Sequence, residues 1–189
     1  MREVATRLLI LDRDGVINED RRDFVKSPEE WLPIPGSLDA IGELSRSGWT
    51  LVVATNQSAI GRGIISMDTL NAIHSKLHRA VAQSGGHIEA IFFCPHAPDD
   101  GCGCRKPLPG MVLEVARRFR VNAADCIMVG DSLRDLQAIA AVGGRPVLVR
   151  TGNGARTEAA GNLPAGTRVY DDLAAYAGAL LNPSPESQS

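Results

Sequence analysis

Leu8-Leu9-Ile10-Leu11-Asp12-Arg13-Asp14-Gly15-Val16-Ile17-Asn18 is the stretch on which the fold turns. Leu8 to Leu11 is short, apolar and followed by a turn signal, which predicts a buried strand. Asp12 and Asp14 then stand where that strand gives way to a loop. In an open parallel sheet this is the edge where ligands bind. Side chains alternate along an extended backbone, so the two carboxylates point to one side. Side by side they repel, and burying them unpaired is costly. A hard divalent cation such as Mg2+ relieves that cost and commonly also holds a phosphate. Asp-x-Asp-Gly alone is equally what a solvated turn would show, so the rest of the chain has to separate the two.

Working outward, apolar runs ending in polar residues recur. Leu51-Val52-Val53-Ala54 runs into Thr55-Asn56-Gln57-Ser58, and Ile127-Met128-Val129 into Gly130-Asp131-Ser132, with Asp135 close behind. Lys106 sits in Cys104-Arg105-Lys106-Pro107. Strands are expected at Thr50 to Ala54, Ile88 to Phe93, Cys126 to Val129, Pro146 to Val149 and around Arg168 to Tyr170. Helices are expected at Ser37 to Ser47, Ser66 to Ser84, Met111 to Phe119, Leu133 to Val142 and Asp172 to Leu181. Ser37 and Ser66 read as caps, and Gly48, Gly85-Gly86 and Gly143-Gly144 as stops. Gly61-Arg62-Gly63 reads as a flexible basic turn, and residues 150–167 as a Gly-rich connector. The alternation implies a three-layer α/β/α sandwich around a mainly parallel, Rossmann-like sheet.

The chain has 189 residues and a net charge of −2. That length suits one domain, placed at 1–181, with a polar Pro- and Ser-rich tail at 182–189 expected to be disordered. There is no broad basic surface or aromatic-rich patch for nucleic acid, and no electrostatic case for anionic lipid. No run approaches the ~18 apolar residues that would span a bilayer, and no signal-peptide pattern opens the chain. A cytoplasmic monomer acting on a small molecule is the expectation.

Three of the four cysteines fall within eleven residues: Cys94, Cys102 and Cys104. In a cytosolic protein such a cluster points to metal before disulfide. With His96 it offers a Cys3His set that fits tetrahedral Zn2+, with no open position and hence a structural role. So short and polar a loop cannot order itself by burying apolar surface, and metal binding would supply that free energy. Arg105 and Lys106 follow directly. Cys126 reads as a small buried hydrophobe. His74 and His78, one turn apart, lack a third ligand nearby and read as an ordinary helix face.

Taken together, these motifs resemble the haloacid-dehalogenase-type phosphohydrolases over nearly the whole chain. Asp-Arg-Asp-Gly-Val-Ile-Asn, Thr-Asn-Gln-Ser, Cys-Pro-His and Cys-x-Cys-Arg-Lys-Pro resemble in particular the heptose-bisphosphate phosphatase branch. The histidinol-phosphate phosphatases, a related branch, share the zinc loop. The resemblance implies a haloacid-dehalogenase-like core without a large cap, catalytic Mg2+, structural Zn2+, and a place in assembling ADP-heptose for lipopolysaccharide. It implies Asp12 as nucleophile and Asp14 as general acid and base. Lys106 and Thr55 would stabilise the transferring phosphoryl group. The metal would be held by Asp12, Asp131 and the backbone carbonyl of Asp14, and Asp135 would orient the metal shell or Lys106.

Asn56, Gln57, Ser58, Arg105 and Ser132 would line the substrate site, together with Asp20, Arg21, Arg22 and Asp23 from the loop at 19–36. A guanidinium grips phosphate in a bidentate way, which makes Arg105 the candidate for the second phosphate. Ser132 stands where some members carry lysine, and Arg21 or Arg22 could supply the missing cation. Ala59 stands where glycine is frequent, and Glu19 to Asp23 is longer and more basic than in some members. A histidinol substrate, with its imidazole and ammonium, would favour acidic partners, whereas Arg21, Arg22 and Arg105 favour a bisphosphate. A zinc-dependent binding module without catalysis would be expected to lack one of Asp12, Asp14, Lys106 or Asp131; all four are present.

Overall fold

The computed structural model describes residues 7–183. Strand β1 is Leu8–Leu11, as the apolar run requires, and all four residues are buried. It is followed by α1 (Ser37–Arg46), β2 (Thr50–Asn56), the one-turn α2 (Ser58–Gly61), α3 (Met67–Gln83) and β3 (Ala90–Cys94). Then come α4 (Gly110–Phe119), a 3-10 turn at Ala123–Asp125, β4 (Ile127–Gly130), α5 (Leu133–Ala140) and β5 (Arg145–Val149). The last elements are α6 (Gly154–Ala160), β6 (Arg168–Tyr170) and α7 (Leu173–Leu181).

The six strands form one sheet in the order β3-β2-β1-β4-β5-β6. Every pairing is parallel, with Leu9 opposite Leu51 on one side and Ile127 on the other. The chain winds outward from β1 in one direction, then restarts at β4 in the other. The switch point, where parallel α/β sheets open a crevice, is therefore the β1–β4 seam.

Alternation along the strands builds two cores. Leu9, Leu11, Leu51, Val53, Val129 and Val149 face Ile41 and Leu44 of α1, Ile73 and Leu77 of α3, and Leu173 and Tyr176 of α7. Leu8, Ile10, Val52, Ala54 and Met128 face Met111, Val112 and Val115 of α4 and Ile139 of α5. Each fully buried aliphatic side chain contributes roughly 1.5–3 kcal/mol of burial free energy. No inserted cap domain interrupts the sheet among the described residues; the segment between β1 and α1 is a loop. That loop is tethered. Trp31 is fully buried, and Lys76 of α3 lies over its ring while donating to the carbonyls of Pro28 at 2.7 Å and Trp31 at 2.8 Å.

Three local readings differ from the sequence expectation. Gly36, at φ 81°, precedes α1 in the cap position, and the Ser37 hydroxyl donates instead to the Val16 carbonyl at 2.8 Å. Gly61 of the flexible turn proposed at 61–63 is instead the last residue of a helical turn, α2, that starts at Ser58, and only Arg62 and Gly63 form the turn. The connector at 150–167 contains α6. Of the tail expected at 182–189, residues 184–189 lie outside the described residues. No helix among the described residues is long and apolar enough to cross a membrane.

Candidate active site

Four strand tips and one loop meet at the switch point. Asp12 directly follows β1, and its amide still donates to the Val129 carbonyl of β4 at 2.9 Å, so the strand ladder fixes its backbone. The chain then turns tightly, with Gly15 at φ 81°. A Cβ at Gly15 would overlap the Asp131 carboxylate, so only glycine lets this turn lie against β4. The tip of β4 supplies Asp131, and Ser132 and Asp135 open α5. The Ser132 amide and hydroxyl both donate to Asp135 Oδ2, at 3.1 and 2.6 Å. Ser132 thus caps the helix while lining the pocket.

From β2, Thr55 is buried, and Gln57 Nε2 donates to its hydroxyl oxygen and to Asp14 Oδ2, both at 2.9 Å. Asn56 does a different job. Its amide donates to the Lys106 carbonyl at 3.0 Å and accepts from the Lys106 amide at 3.1 Å, locking that backbone to the sheet. Ser58 lines the pocket from the start of α2. Lys106 itself is 1% exposed. Its ammonium lies 2.6 Å from Asp135 Oδ1, 3.1 Å from Asp12 Oδ1 and 2.7 Å from the Ala54 carbonyl.

Asp20, Arg21 and Arg105 also reach the pocket wall. Arg22 and Asp23 are not among the lining residues; Asp23 pairs with Lys26 and, at 3.7 Å, with Arg21. Several lining residues escaped the sequence reading. Arg13 forks onto Asp14, and Arg134 of α5 faces the pocket beside Arg105. Asn153, after β5, donates to Asp131 Oδ2 from its amide at 2.8 Å and to Asp20 from its side chain at 2.6 Å. Thr151, behind the pocket wall, donates to the Gly15 carbonyl at 2.7 Å. The one available signal was the run Thr151-Gly152-Asn153 at the end of an apolar strand, the same pattern that exposed the other tips.

The electrostatics are those of a crowded acidic site. Burial, then the neighbouring Asp135 charge, push Asp12 well above the usual carboxylate range, and Lys106 only partly offsets them. Burial and Asp135 push Asp131 up to about 7. Burial would raise Asp135 too, but Lys106 and Ser132 hold it below its ordinary value. Burial pulls the Lys106 ammonium down, yet Asp12 and Asp135 more than compensate and hold it above. Oxygens of Asp12, Asp131 and Asp135 come within 4.8 Å of one another. Three buried carboxylates against one ammonium leave an excess of negative charge that a hard divalent cation fits.

The thiols form a second centre. Cys94 Sγ lies 3.3 Å from Cys104 Sγ, 3.6 Å from Cys102 Sγ and 3.5 Å from His96 Nδ1, which is 3.3 Å from Cys104. Ligands about 2.3 Å from a tetrahedral zinc are separated by about 3.8 Å, so the set is already near that spacing. The cluster belongs to the core at one end, since Cys94 is the buried last residue of β3.

Comparison with known proteins agrees with this geometry. A family model described as haloacid dehalogenase-like hydrolase matches residues 1–143. A Bordetella bronchiseptica protein named D-glycero-beta-D-manno-heptose-1,7-bisphosphate 7-phosphatase is 61% identical, over 93% of this chain and 98% of its own. A Pseudomonas aeruginosa protein of that name is 53% identical over 94% of this chain and 99% of its own. The crystal structure of the B. bronchiseptica phosphatase, complexed with magnesium and phosphate, superposes with a TM-score of 0.92 at 61% identity, covering 93% of this chain and 98% of that one. That of the Burkholderia thailandensis phosphatase gives 0.76 at 52% identity, covering 94% of this chain and 99% of that one. With its parallel core, its acidic switch point and relatives matched over almost their full length, the chain belongs to the haloacid dehalogenase-like hydrolases, in the branch of the heptose-1,7-bisphosphate 7-phosphatases.

Proposed function

We propose that the protein removes the 7-phosphate of D-glycero-β-D-manno-heptose 1,7-bisphosphate through an aspartyl-phosphate intermediate, in the route to ADP-heptose and the lipopolysaccharide core. The observation that carries the reading is the convergence of Asp12, Asp131 and Asp135 opposite the buried ammonium of Lys106. The relatives' shared name supports the substrate.

Asp12 is the nucleophile. Its Oδ1 is engaged by the Arg13 amide at 2.7 Å and by Lys106 at 3.1 Å, which leaves Oδ2 to attack phosphorus. Burial would raise the Asp14 pKa, but Arg13, Asn18 and Gln57 hold it below the ordinary value, so Asp14 takes up a proton from solvent before the step. As the new O–P bond forms, the bond to the sugar oxygen breaks, and Asp14 delivers that proton to the leaving oxygen. Asp14 then takes a proton from the water that attacks the acyl phosphate, which frees phosphate and restores Asp12. Lys106 and the Thr55 hydroxyl counter charge on the transferring group. Asp12, Asp131 and the Asp14 backbone carbonyl would hold Mg2+, which supplies charge against the repulsion between carboxylate and phosphate. Cys94, His96, Cys102 and Cys104 would hold Zn2+, and Asn56 would carry the order of that loop to Lys106. Arg105 and Arg21, both on the pocket wall, would receive the second phosphate, and Gln57, Ser58 and Ser132 would frame the first, with Asn56 acting through the Lys106 backbone it holds.

Phosphate release from the heptose bisphosphate, fructose 1,6-bisphosphate and histidinol phosphate, with Mg2+ present, tests the proposal. The heptose bisphosphate is expected to react fastest and to lose its 7-phosphate, and Asp12→Asn to abolish turnover while keeping the fold. Release mainly from histidinol phosphate would overturn the substrate; turnover by Asp12→Asn would overturn the nucleophile.

A further inference from the structure

We infer that Arg13, held on its far side by His74, is the positioning residue that fixes the Asp14 carboxylate at the reacting centre. The inference rests on the reading of Asp14 as the proton carrier.

Arg13 is 1% exposed, although it stands in a loop beside the pocket. Burying a guanidinium is costly unless its N–H groups are matched. Here they are matched in two directions. Nε and Nη2 fork onto Asp14, at 3.1 and 2.9 Å to Oδ1 and 2.9 Å to Oδ2. Nη1 points the other way and donates to His74 Nε2 at 3.4 Å. The imidazole is built for that task. It projects from α3 and stands edge-on to Phe93 of β3, with ring centroids 6.1 Å apart. Burial, with the Arg13 charge, lowers its pKa to about 4, so it is neutral and can accept.

The consequence falls on Asp14. Five donor contacts reach its carboxylate, three of them from Arg13 and one each from Asn18 and Gln57. Removing Arg13 takes away three of the five contacts and leaves the carboxylate to Asn18 and Gln57 alone. A proton carrier works only in register with the oxygen it serves, and small displacements are expensive. An exposed ion pair between sequence neighbours would carry no such weight. This one is anchored through Arg13 and His74 to α3 and the edge of the sheet.

The test is leaving-group dependence. 4-Nitrophenyl phosphate departs without a proton; phenyl phosphate and a simple alkyl phosphate need one. In Arg13→Gln and His74→Phe, kcat/KM on the alkyl ester is expected to fall about tenfold further than on 4-nitrophenyl phosphate, with Arg13→Lys between them and the original protein. His74→Phe keeps the ring and Arg13, so it answers the question if Arg13→Gln does not fold. Equal losses on all three esters, a change confined to KM, or no loss would overturn the inference. Asp14→Asn is the control for the underlying reading. If its losses do not grow with the demand for a proton, the assignment of Asp14 itself fails.

Discussion

His74 shows how a residue that reads as ordinary acquires a measurable signature. Its folded pKa of about 4 lies below the ordinary 6.5, chiefly through burial. Between those values the unfolded chain binds a proton that the folded chain refuses. Its contribution to stability is therefore complete above pH ~6.5 and is lost as pH falls toward 4, by about 3 kcal/mol at most. Asp14 and Asp135, whose pKa values are lowered, add their own losses only below the ordinary carboxylate value of 3.8. Asp12 and Asp131, whose values are raised, instead gain stability as pH falls, and do so in parent and variant alike. Urea unfolding at pH 7 and pH 4 should show stability falling further, or rising less, in the parent protein than in His74→Phe. Parallel changes would mean that His74 is not held neutral. The sequence could not announce this residue. Arg13 occupies the unspecified place in Asp-x-Asp, and His74 is separated from it by sixty-one positions; the pair exists only after α3 packs on the sheet. Asp12, Asp14 and Asp131 were visible because each follows an apolar run with a charge, and Lys106 because it closes the cysteine loop.

Elements were legible in proportion to their periodicity. β1, β2 and β4 announce themselves as apolar runs closed by polar residues, and α3 as seventeen residues between a serine cap and a glycine pair. α6 was read as connector because Gly-Ala-Arg-Thr-Glu-Ala-Ala presents no apolar stripe. Its value lies in the loop before it. Gly152, at φ 57°, passes so close to Asp131 and Gly15 that a Cβ would collide with both, and Asn153 caps the Asp131 carboxylate there. Ser37 misled for a related reason: a hydroxyl before an apolar run looks like a cap until the Val16 carbonyl claims it. The cysteine loop makes the sharpest prediction at this scale. Its four donors join the end of β3 to the backbone of Lys106, and Asn56 fastens that backbone to β2. Stripping zinc, or Cys102→Ser, should raise amide exchange across residues 94–106 and lower kcat about tenfold or more by loosening the ammonium. Full activity after verified removal of the metal would separate the thiol cluster from the chemistry.

Across the whole molecule the decisive fact is that the site straddles the seam between two halves of the sheet. β2 and the loop after β3 bring Thr55 and Lys106; β4 and β5 bring Asp131 and Asn153; β1 lies between them with Asp12. Without a cation, Asp12 and Asp131 are both raised, each pressed by burial and by Asp135. Like charges therefore strain the junction that the parallel strands bring together. A ligand that binds only when both halves are in place must stabilise the entire fold by mass action. Magnesium at about a hundred times its dissociation constant should add about 2.7 kcal/mol, or roughly 5–10 °C in Tm for a chain of this size. Asp131→Asn removes the β4 carboxylate proposed to hold magnesium while leaving the thiol cluster untouched, so it should match the parent in zinc content and lose most of that shift. It should also melt no lower than the parent in the absence of magnesium, because one of the crowded carboxylates has become neutral. Scanning calorimetry of both proteins, with zinc content measured alongside, decides the matter. A full magnesium response in Asp131→Asn would place the cation elsewhere and dissolve the link between the switch point and the chemistry.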